Sequence, residues 1–281
     1  MAEYNYSWEQ AIEILNKDPK HKKLIYDAYL TSDLIANCQR FYSSDEFKEA
    51  LDIIKKYSGS NAKILDMPAG NGIASYAFAK SGFRVSALEP DASNRVGRGA
   101  IQFVKEHEKN FNLDIYEGWG ENLPFENESF NVVYVRQGLH HASDLKKMLK
   151  EIFRVLKKGG IVIAVREHVV DDYKNSLKIF LDAQIDHQLY GGENAFTLKD
   201  YVNAFVFAGF LIKKTWGPYD NIINLYPQSE AGLKLEMRKS KIYFLLKLFL
   251  PQNLIYRIFV LRLKSKREPG RLFSFLAIKN H

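Results

Sequence analysis

Ile64-Leu65-Asp66-Met67-Pro68-Ala69-Gly70-Asn71-Gly72 is the stretch on which the fold turns. Lys63 to Met67 reads as a short apolar strand, Pro68 to Gly72 as a loop, and the residues from about Ile73 to Ser81 as a helix. Phe83-Arg84-Val85-Ser86-Ala87-Leu88 then makes a second strand, which completes a βαβ unit. A glycine-rich turn at the end of a parallel strand lets a ligand approach the backbone where a side chain would clash. Gly70-Asn71-Gly72 alone fits a plain strand-to-helix turn equally well. Two acids add information. Asp66, at the strand end, would repel a pyrophosphate but can accept hydrogen bonds from a cationic amino group. Glu89 ends the second strand ahead of Pro90-Asp91, where an ionised carboxylate offers two acceptor oxygens to the hydroxyls of a ribose. The third position of a dinucleotide loop is here Ser75, so the pair suits a nucleoside with an amino-acid tail better than a dinucleotide.

Outward from this unit the alternation continues. A helix over about 93–109 precedes the strand Leu113–Tyr116, and the strand Phe130–Val135 precedes a helix over 143–156. Gly159-Gly160 reads as a turn into the strand Ile161–Val165. Helical stretches over 171–189 and 197–208 follow, then the strand Phe210–Thr215, an inserted region, and a closing strand Leu272–Ile278. Strands alternating with helices predict a mostly parallel sheet wound on both faces. Residues 7–57 are helical in pattern, with Ile12, Leu15, Leu24, Tyr26, Leu30 and Leu34 at the apolar positions.

Several segments in this order resemble the class I S-adenosylmethionine-dependent methyltransferase family, in particular its small-molecule branch. "LDMPAGNG" is similar to the family's first motif and "VSALEPD" to its ribose-binding second motif. "GENLPFENESFNVVYVRQGLHH" resembles the third and fourth motifs, and "EIFRVLKKGGIVIAVRE" the helix and strand after them. The resemblance covers roughly residues 62–165. It implies a Rossmann-like, doubly wound, mostly parallel seven-stranded sheet with an N-terminal helical cap and a helical insertion before the last strand. The expected division is a cap over 1–60, a cofactor-binding domain over 61–225 plus 269–281, and an insertion over 226–268. The implied cofactor is S-adenosyl-L-methionine, and the implied activity is O- or N-methylation of a small-molecule acceptor, such as a sugar or a lipid-linked precursor. The competing reading keeps the fold for a different reaction or for binding alone. By position, Asp66, Pro68 and the backbone of Ala69, Gly70, Asn71 and Gly72 would hold the methionine part. Glu89 would hold the ribose with Pro90 near the adenine, Gly120, Glu121 and Asn122 would line the adenine pocket, and Arg136 with Gln137 would face the sulfonium. Three departures stand out: Pro68 replaces the usual first glycine, Trp119 stands where many members have an acid, and Asn131 replaces a common Asp.

Methyl transfer from a sulfonium needs alignment and exclusion of water. A hydroxyl acceptor also needs a base with a pKa near neutrality, which points to histidine. His140, His141, His168 and His187 fall at or after the strand ends where ligands bind in such sheets. His140, His168 and Glu167 are the catalytic candidates. Tyr190, Glu193 and Asn194, in a polar stretch with Gly191 and Gly192, are the candidate substrate contacts. His168, His187 and Glu193 match no metal-ligand spacing, so no metal is expected.

Hydrophobic residues at 46% and charged residues at 26% are ordinary for a globular chain of 281 residues. The single Cys38 excludes an internal disulfide and favours a reducing compartment. Residues 1–20 mix charges and lack the apolar core of a signal peptide, and no apolar run reaches the roughly 18 residues of a membrane span, so a cytoplasmic location is expected. The net charge of +7 sits largely in the last fifty residues and no nucleic-acid module is recognisable, so no nucleic-acid partner is expected. The basic, apolar segment 234–268 should break at Pro251 into two helices. In the second, Leu254, Ile258 and Leu261 share one side, with Arg257 and Lys264 on another. Three roles compete for the segment: a lid over the substrate, a peripheral membrane contact, or a homodimer interface.

Overall fold

The computed structural model describes residues 6–108, 110–183, 185–191 and 193–280, without the side chains of Asp186 and Ile242. Gly192 of the candidate substrate stretch, Lys109 at the expected end of a helix and residues 1–5 of the expected cap lie outside the described residues. The chain opens with four helices, α1 (Trp8–Lys17), α2 (Lys22–Asp27), α3 (Leu34–Ser43) and α4 (Asp45–Ser58). Ser7 and Gln10 form a capping box at α1, and the side chains of Asp33 and Ser44 cap α3 and α4. Each cap satisfies a backbone donor the helix cannot, for about 1 kcal/mol.

Strand and helix then alternate through β1 (Lys63–Asp66), α5 (Ile73–Lys80), β2 (Arg84–Leu88), α6 (Arg98–His107), β3 (Leu113–Tyr116), β4 (Phe130–Arg136), α7 (Leu145–Val155) and β5 (Leu156–Val170). The chain continues as α8 (Ser176–Asp182), α9 (Ile185–Tyr190), β6 (Phe196–Thr197), α10 (Leu198–Ala208) and β7 (Leu211–Trp216). Helices α11 (Glu230–Lys239), α12 (Lys241–Leu246) and α13 (Gln252–Ser265) precede the last strand, β8 (Arg271–Ile278). The sheet order is β3-β2-β1-β4-β5-β8-β7, with β1 to β5 parallel and β8 antiparallel to both of its neighbours. These are the seven expected strands, and the two-residue β6 adds an eighth beside the end of β5.

Successive strand residues point to opposite faces. Ile64, Val132 and Ile161 therefore pack with Phe47 and Phe78 of α4 and α5, while Leu65, Val133 and Val162 pack with Leu149 and Ile152 of α7 and Phe205 of α10. The strand order reverses between β1 and β4, which opens a crevice at their carboxyl ends.

Three expectations change. Gly159-Gly160 does not end an element: the register jumps from Phe130↔Leu156 to Val132↔Ile161 and the glycines sit inside one long strand. Val165 does not end that strand either, because antiparallel β8 pairs with Glu167, His168 and Val169 beyond an irregularity, so His168 stands on β5 rather than after it. In α13 the residues that pack are Ile255 and Phe259, which share a small core with Met237 of α11. Leu254 and Leu261, on the apolar side read from the sequence, are exposed, because Ile255 and Phe259 lie one turn apart on the side toward α11.

Candidate active site

A cavity of about 610 Å³ opens at the carboxyl ends of β1, β2 and β4. Its walls come from Met67, Pro68 and Gly70 after β1, Leu88 to Asp91 after β2, Gly118 to Glu121, and Arg136 to Gly138 after β4. Trp8 of α1 and Tyr190 of α9 meet over it with ring centroids 5.1 Å apart.

Glu89 is the best-defined polar group on the wall. Its Oε2 accepts from the Gly70 N–H at 2.7 Å and its Oε1 from the Asp91 N–H at 3.0 Å. Burial pushes its pKa up to about 7, against the pull of those two N–H groups. Gly70 takes φ +55°, a left-handed conformation that suits glycine and brings its N–H to the carboxylate. A Cβ on Gly138 would lie 2.3 Å from Cδ of the rigid Pro68 ring, so that wall needs glycine, whereas one on Gly120, 2.7 Å from Met148 Cε, would push the flexible Met148 side chain aside.

Under the crevice, Glu46 of α4 takes two guanidiniums. Arg136 Nε and Nη2 donate to it at 2.6 and 3.2 Å, and Arg166 Nε lies 3.7 Å away. Burial lowers the pKa of Arg166; the same burial is outweighed at Arg136 by Glu46, which raises it. Gln137 and Arg166, at the ends of β4 and within β5, hold φ values of +50° and +61°. Such backbone costs about 1–3 kcal/mol and persists where surrounding contacts enforce it. The Glu46 cluster does that from both sides.

Beside the cavity lies a second polar group. Glu167, fully buried, accepts from the Gly138 and His140 N–H groups at 3.0 and 3.1 Å and from His140 Nδ1 at 2.8 Å. His140 Nε2 lies 3.0 Å from Glu193 Oε1. Burial lowers the pKa of His140, but its contacts with Glu167 and Glu193 overcome that and raise it to about 9. His168 Nδ1 donates to the Gly270 carbonyl at 2.8 Å, and its Nε2 lies 3.5 Å from Gln137 Nε2. Burial first, then the neighbouring His140 charge, pushes His168 down to about 4.

Residues 65–164 match the family model described as "Methyltransferase domain". The sheet order is that of the class I S-adenosylmethionine-dependent methyltransferase fold, and the match falls on β1 to β5. Residues 65–164 form a methyltransferase domain. The uncharacterized methyltransferase YcgJ of Bacillus subtilis is 31% identical over 125 residues, covering 43% of this chain and 48% of its own length. Demethylmenaquinone methyltransferase of Lactococcus lactis is 33% identical over 120 residues, covering 42% and 47%. The chain thus spans about half the length of the curated relatives it matches. Among solved structures, the phosphoethanolamine N-methyltransferase 2 of Haemonchus contortus, in complex with S-adenosyl-L-methionine, superposes with a TM-score of 0.60 at 19% identity. That superposition covers 98% of this chain and 60% of that one. The geranyl diphosphate C-methyltransferase of Streptomyces coelicolor gives 0.57 at 12% identity, covering 83% and 76%. At these identities the likeness is one of fold.

Within the methyltransferase domain, the structure brings Pro68, Gly70, Glu89, Pro90, Gly120, Glu121, Arg136 and Gln137 to the cavity wall, together with Tyr190 and Glu193. Other candidates stand off the wall. Asp66 is buried beneath it and accepts from Ser75 Oγ at 2.6 Å, with burial raising its pKa to about 7. Ala69 N–H donates to the Leu88 carbonyl, and Asn71 Nδ2 turns away to the Tyr29 carbonyl at 2.7 Å. Gly72, at φ +83°, starts α5. Asn122 pairs with Trp119 in the loop, and Asn194 is half-buried. His140, Glu167 and His168 lie behind the wall. Both nitrogens of His140 face carboxylates, so it stands as an imidazolium with no lone pair to take a proton, unlike the base expected of it. The Asn131 departure is local, its Oδ1 accepting from the Lys63 N–H. Trp119 is 69% exposed on the rim.

Sequence reasoning missed Trp8, Glu46, Arg166 and Gly138. Trp8 and Glu46 sit in helices whose own pattern says only that they are amphipathic, and Glu46 meets Arg136 across 90 positions. The chain's Gln-Gly at 137–138 was the available signal for a tight approach after β4. No described residue of 226–268 lines the cavity, which is bordered by Trp8 of α1 and Tyr190 of α9 instead.

Proposed function

We propose that this chain transfers a methyl group from S-adenosyl-L-methionine to an oxygen or nitrogen of a small acceptor. The observation that carries the reading is Glu89, fixed by two backbone N–H groups on a glycine-walled cavity at the sheet's switch point. The cofactor, when bound, supplies an electrophilic methyl on a sulfonium. The chain's residues do the rest. Glu89, its orientation already set, accepts from the ribose hydroxyls. Gly118, Trp119 and Gly120 would line the adenine's part of the cavity. Pro68, Gln137 and Gly138 border the end nearest the acidic and imidazole groups, where the acceptor's reacting atom would enter. Trp8 and Tyr190 close the mouth and exclude water, which favours a reaction that depends on alignment.

We further infer that the acceptor is membrane-associated. The tip formed by α12 and the residues after it exposes Phe244, Leu245, Leu248 and Phe249, the last two at 79% each. Residues 234–268 contain ten Lys and Arg and two acids, Glu236 and Glu268, while Lys234 and Lys264 pair with Glu230 and Asp220 outside the segment. An apolar tip with a basic surround suits an anionic lipid surface. No described helix is long and apolar enough to cross a membrane.

The test is calorimetry with S-adenosylmethionine and S-adenosylhomocysteine, on wild type and Glu89→Ala. Micromolar binding that Glu89→Ala weakens supports the reading. Folded protein that binds neither ligand at millimolar concentration overturns it.

A further inference from the structure

We propose that His140, His168 and Glu193 bind one divalent first-row transition-metal ion, zinc or iron(II). The two imidazoles and the carboxylate each bring a ligand atom into a group no wider than 4.8 Å, and His140 Nε2 and Glu193 Oε1 are already 3.0 Å apart. Bonds of about 2.0–2.2 Å at tetrahedral angles put ligand atoms about 3.3–3.6 Å apart, so the widest pair closes by no more than about 1.5 Å when the ion binds, within reach of a side-chain rotation.

The tautomers favour the site. His140 donates Nδ1–H to Glu167 at 2.8 Å, and His168 donates Nδ1–H to the Gly270 carbonyl at 2.8 Å. Carboxylate and carbonyl partners at the far nitrogen are how metal-ligating histidines are oriented, and they leave Nε2 of both rings for the ion. Glu193 Oε1 is buried and makes its ion-pair contact without a well-directed hydrogen bond. A proton shared between His140 and Glu193 therefore leaves this oxygen poorly satisfied, and leaves His168 Nε2 3.5 Å from the Gln137 amide nitrogen. A divalent ion takes the place of the His140 Nε2 proton and balances two carboxylates, Glu167 and Glu193, where the proton balances one. Two imidazoles select against magnesium and calcium, which take oxygen ligands.

Two histidines and one carboxylate leave coordination positions open. Glu193 and Gln137 both line the cavity, so those positions face its acceptor end. The ion-binding claim stands apart from methyl transfer; only its use in polarising an acceptor oxygen rests on that reading. His140 to His168 to Glu193 follows no ligand spacing in sequence. His187, which the sequence grouped with His168, instead directs Nδ1 to the Phe180 carbonyl.

Chelator-stripped protein is titrated with Zn2+ and Co2+ by calorimetry, with Co2+ also followed by visible absorption. The expected result is one ion per chain and cobalt d–d bands, weakened at least roughly tenfold in His168→Ala and Glu193→Gln and unchanged in His21→Ala. His168→Gln replaces the alanine variant if circular dichroism shows that one unfolded. Folded wild type that takes up no stoichiometric ion overturns the proposal, and so does undiminished binding in both site variants. S-adenosylhomocysteine binding on the same samples separates the two readings, since either ligand can bind without the other.

Discussion

At the scale of single residues, buried charge decides both stability and binding. Glu46 holds Arg136 and Arg166 in a site where neither guanidinium reaches water freely. Removing one partner of a buried ion pair costs about 3–5 kcal/mol, because the other charge stays behind. Glu46→Gln is expected to lose stability in that range by urea unfolding; a loss below about 1 kcal/mol would mean the arginines are not trapped. Glu89 carries a second prediction. Burial raises its pKa from 4.5 to about 7, so the free protein holds the proton below that value. This group's contribution to stability is full below pH 4.5 and lost as pH rises through about 7. Cofactor affinity runs the other way, because the ribose hydroxyls need the ionised carboxylate. S-adenosylhomocysteine should bind roughly tenfold more tightly at pH 8 than at pH 6 by calorimetry, from the ionised fraction alone. Asp66 titrates in the same window, so Glu89→Gln isolates the effect: its pH dependence should be much flatter.

At the scale of elements, the first and ninth helices complete a pocket that the sheet only begins. α1 buries Ala11, Ile12 and Leu15 against its neighbours, and α9 adds Leu189 to the same cluster. Trp8 packs against the same cluster and also meets Tyr190 over the cavity. Trp8→Ala should weaken S-adenosylhomocysteine binding by about tenfold, near 1.4 kcal/mol, and also lower the melting temperature, so affinity is measured well below the variant's unfolding transition. Equal affinity in the variant would show that the helix pair does not close on the ligand. The order of helices and strands through β4 was legible because hydrophobic period and glycine turns are local. The reach of β5 to Val170 was not, since it depends on β8 arriving from more than a hundred residues away.

At the scale of the molecule, basic charge and exposed apolar side chains coincide in residues 234–268. If residues 234–268 lie on lipid, the full chain should float with vesicles containing anionic phospholipid, and less so with neutral vesicles or at high salt. Leu248→Asp with Phe249→Asp should abolish flotation while leaving cofactor binding intact. Salt-independent dimerisation through the same tip, with no flotation, would assign it to a second copy of the chain.

The sequence by itself determined the alternation of strand and helix, the loop after β1 and the acid at the end of β2, because each is set by residues within a few positions of one another. It pointed to Pro68, Gly70, Glu89 and Gln137, which border the cavity at the strand ends, for the same reason. Tertiary structure alone decided that Asp66 and Asn71 turn from the cavity and that Glu46 supports Arg136. It also decided that His140, Glu167, His168 and Glu193 converge. Those four come from the loop after β4, from β5 and from the segment after α9, and their meeting depends on strand register and chain return, which no local pattern encodes.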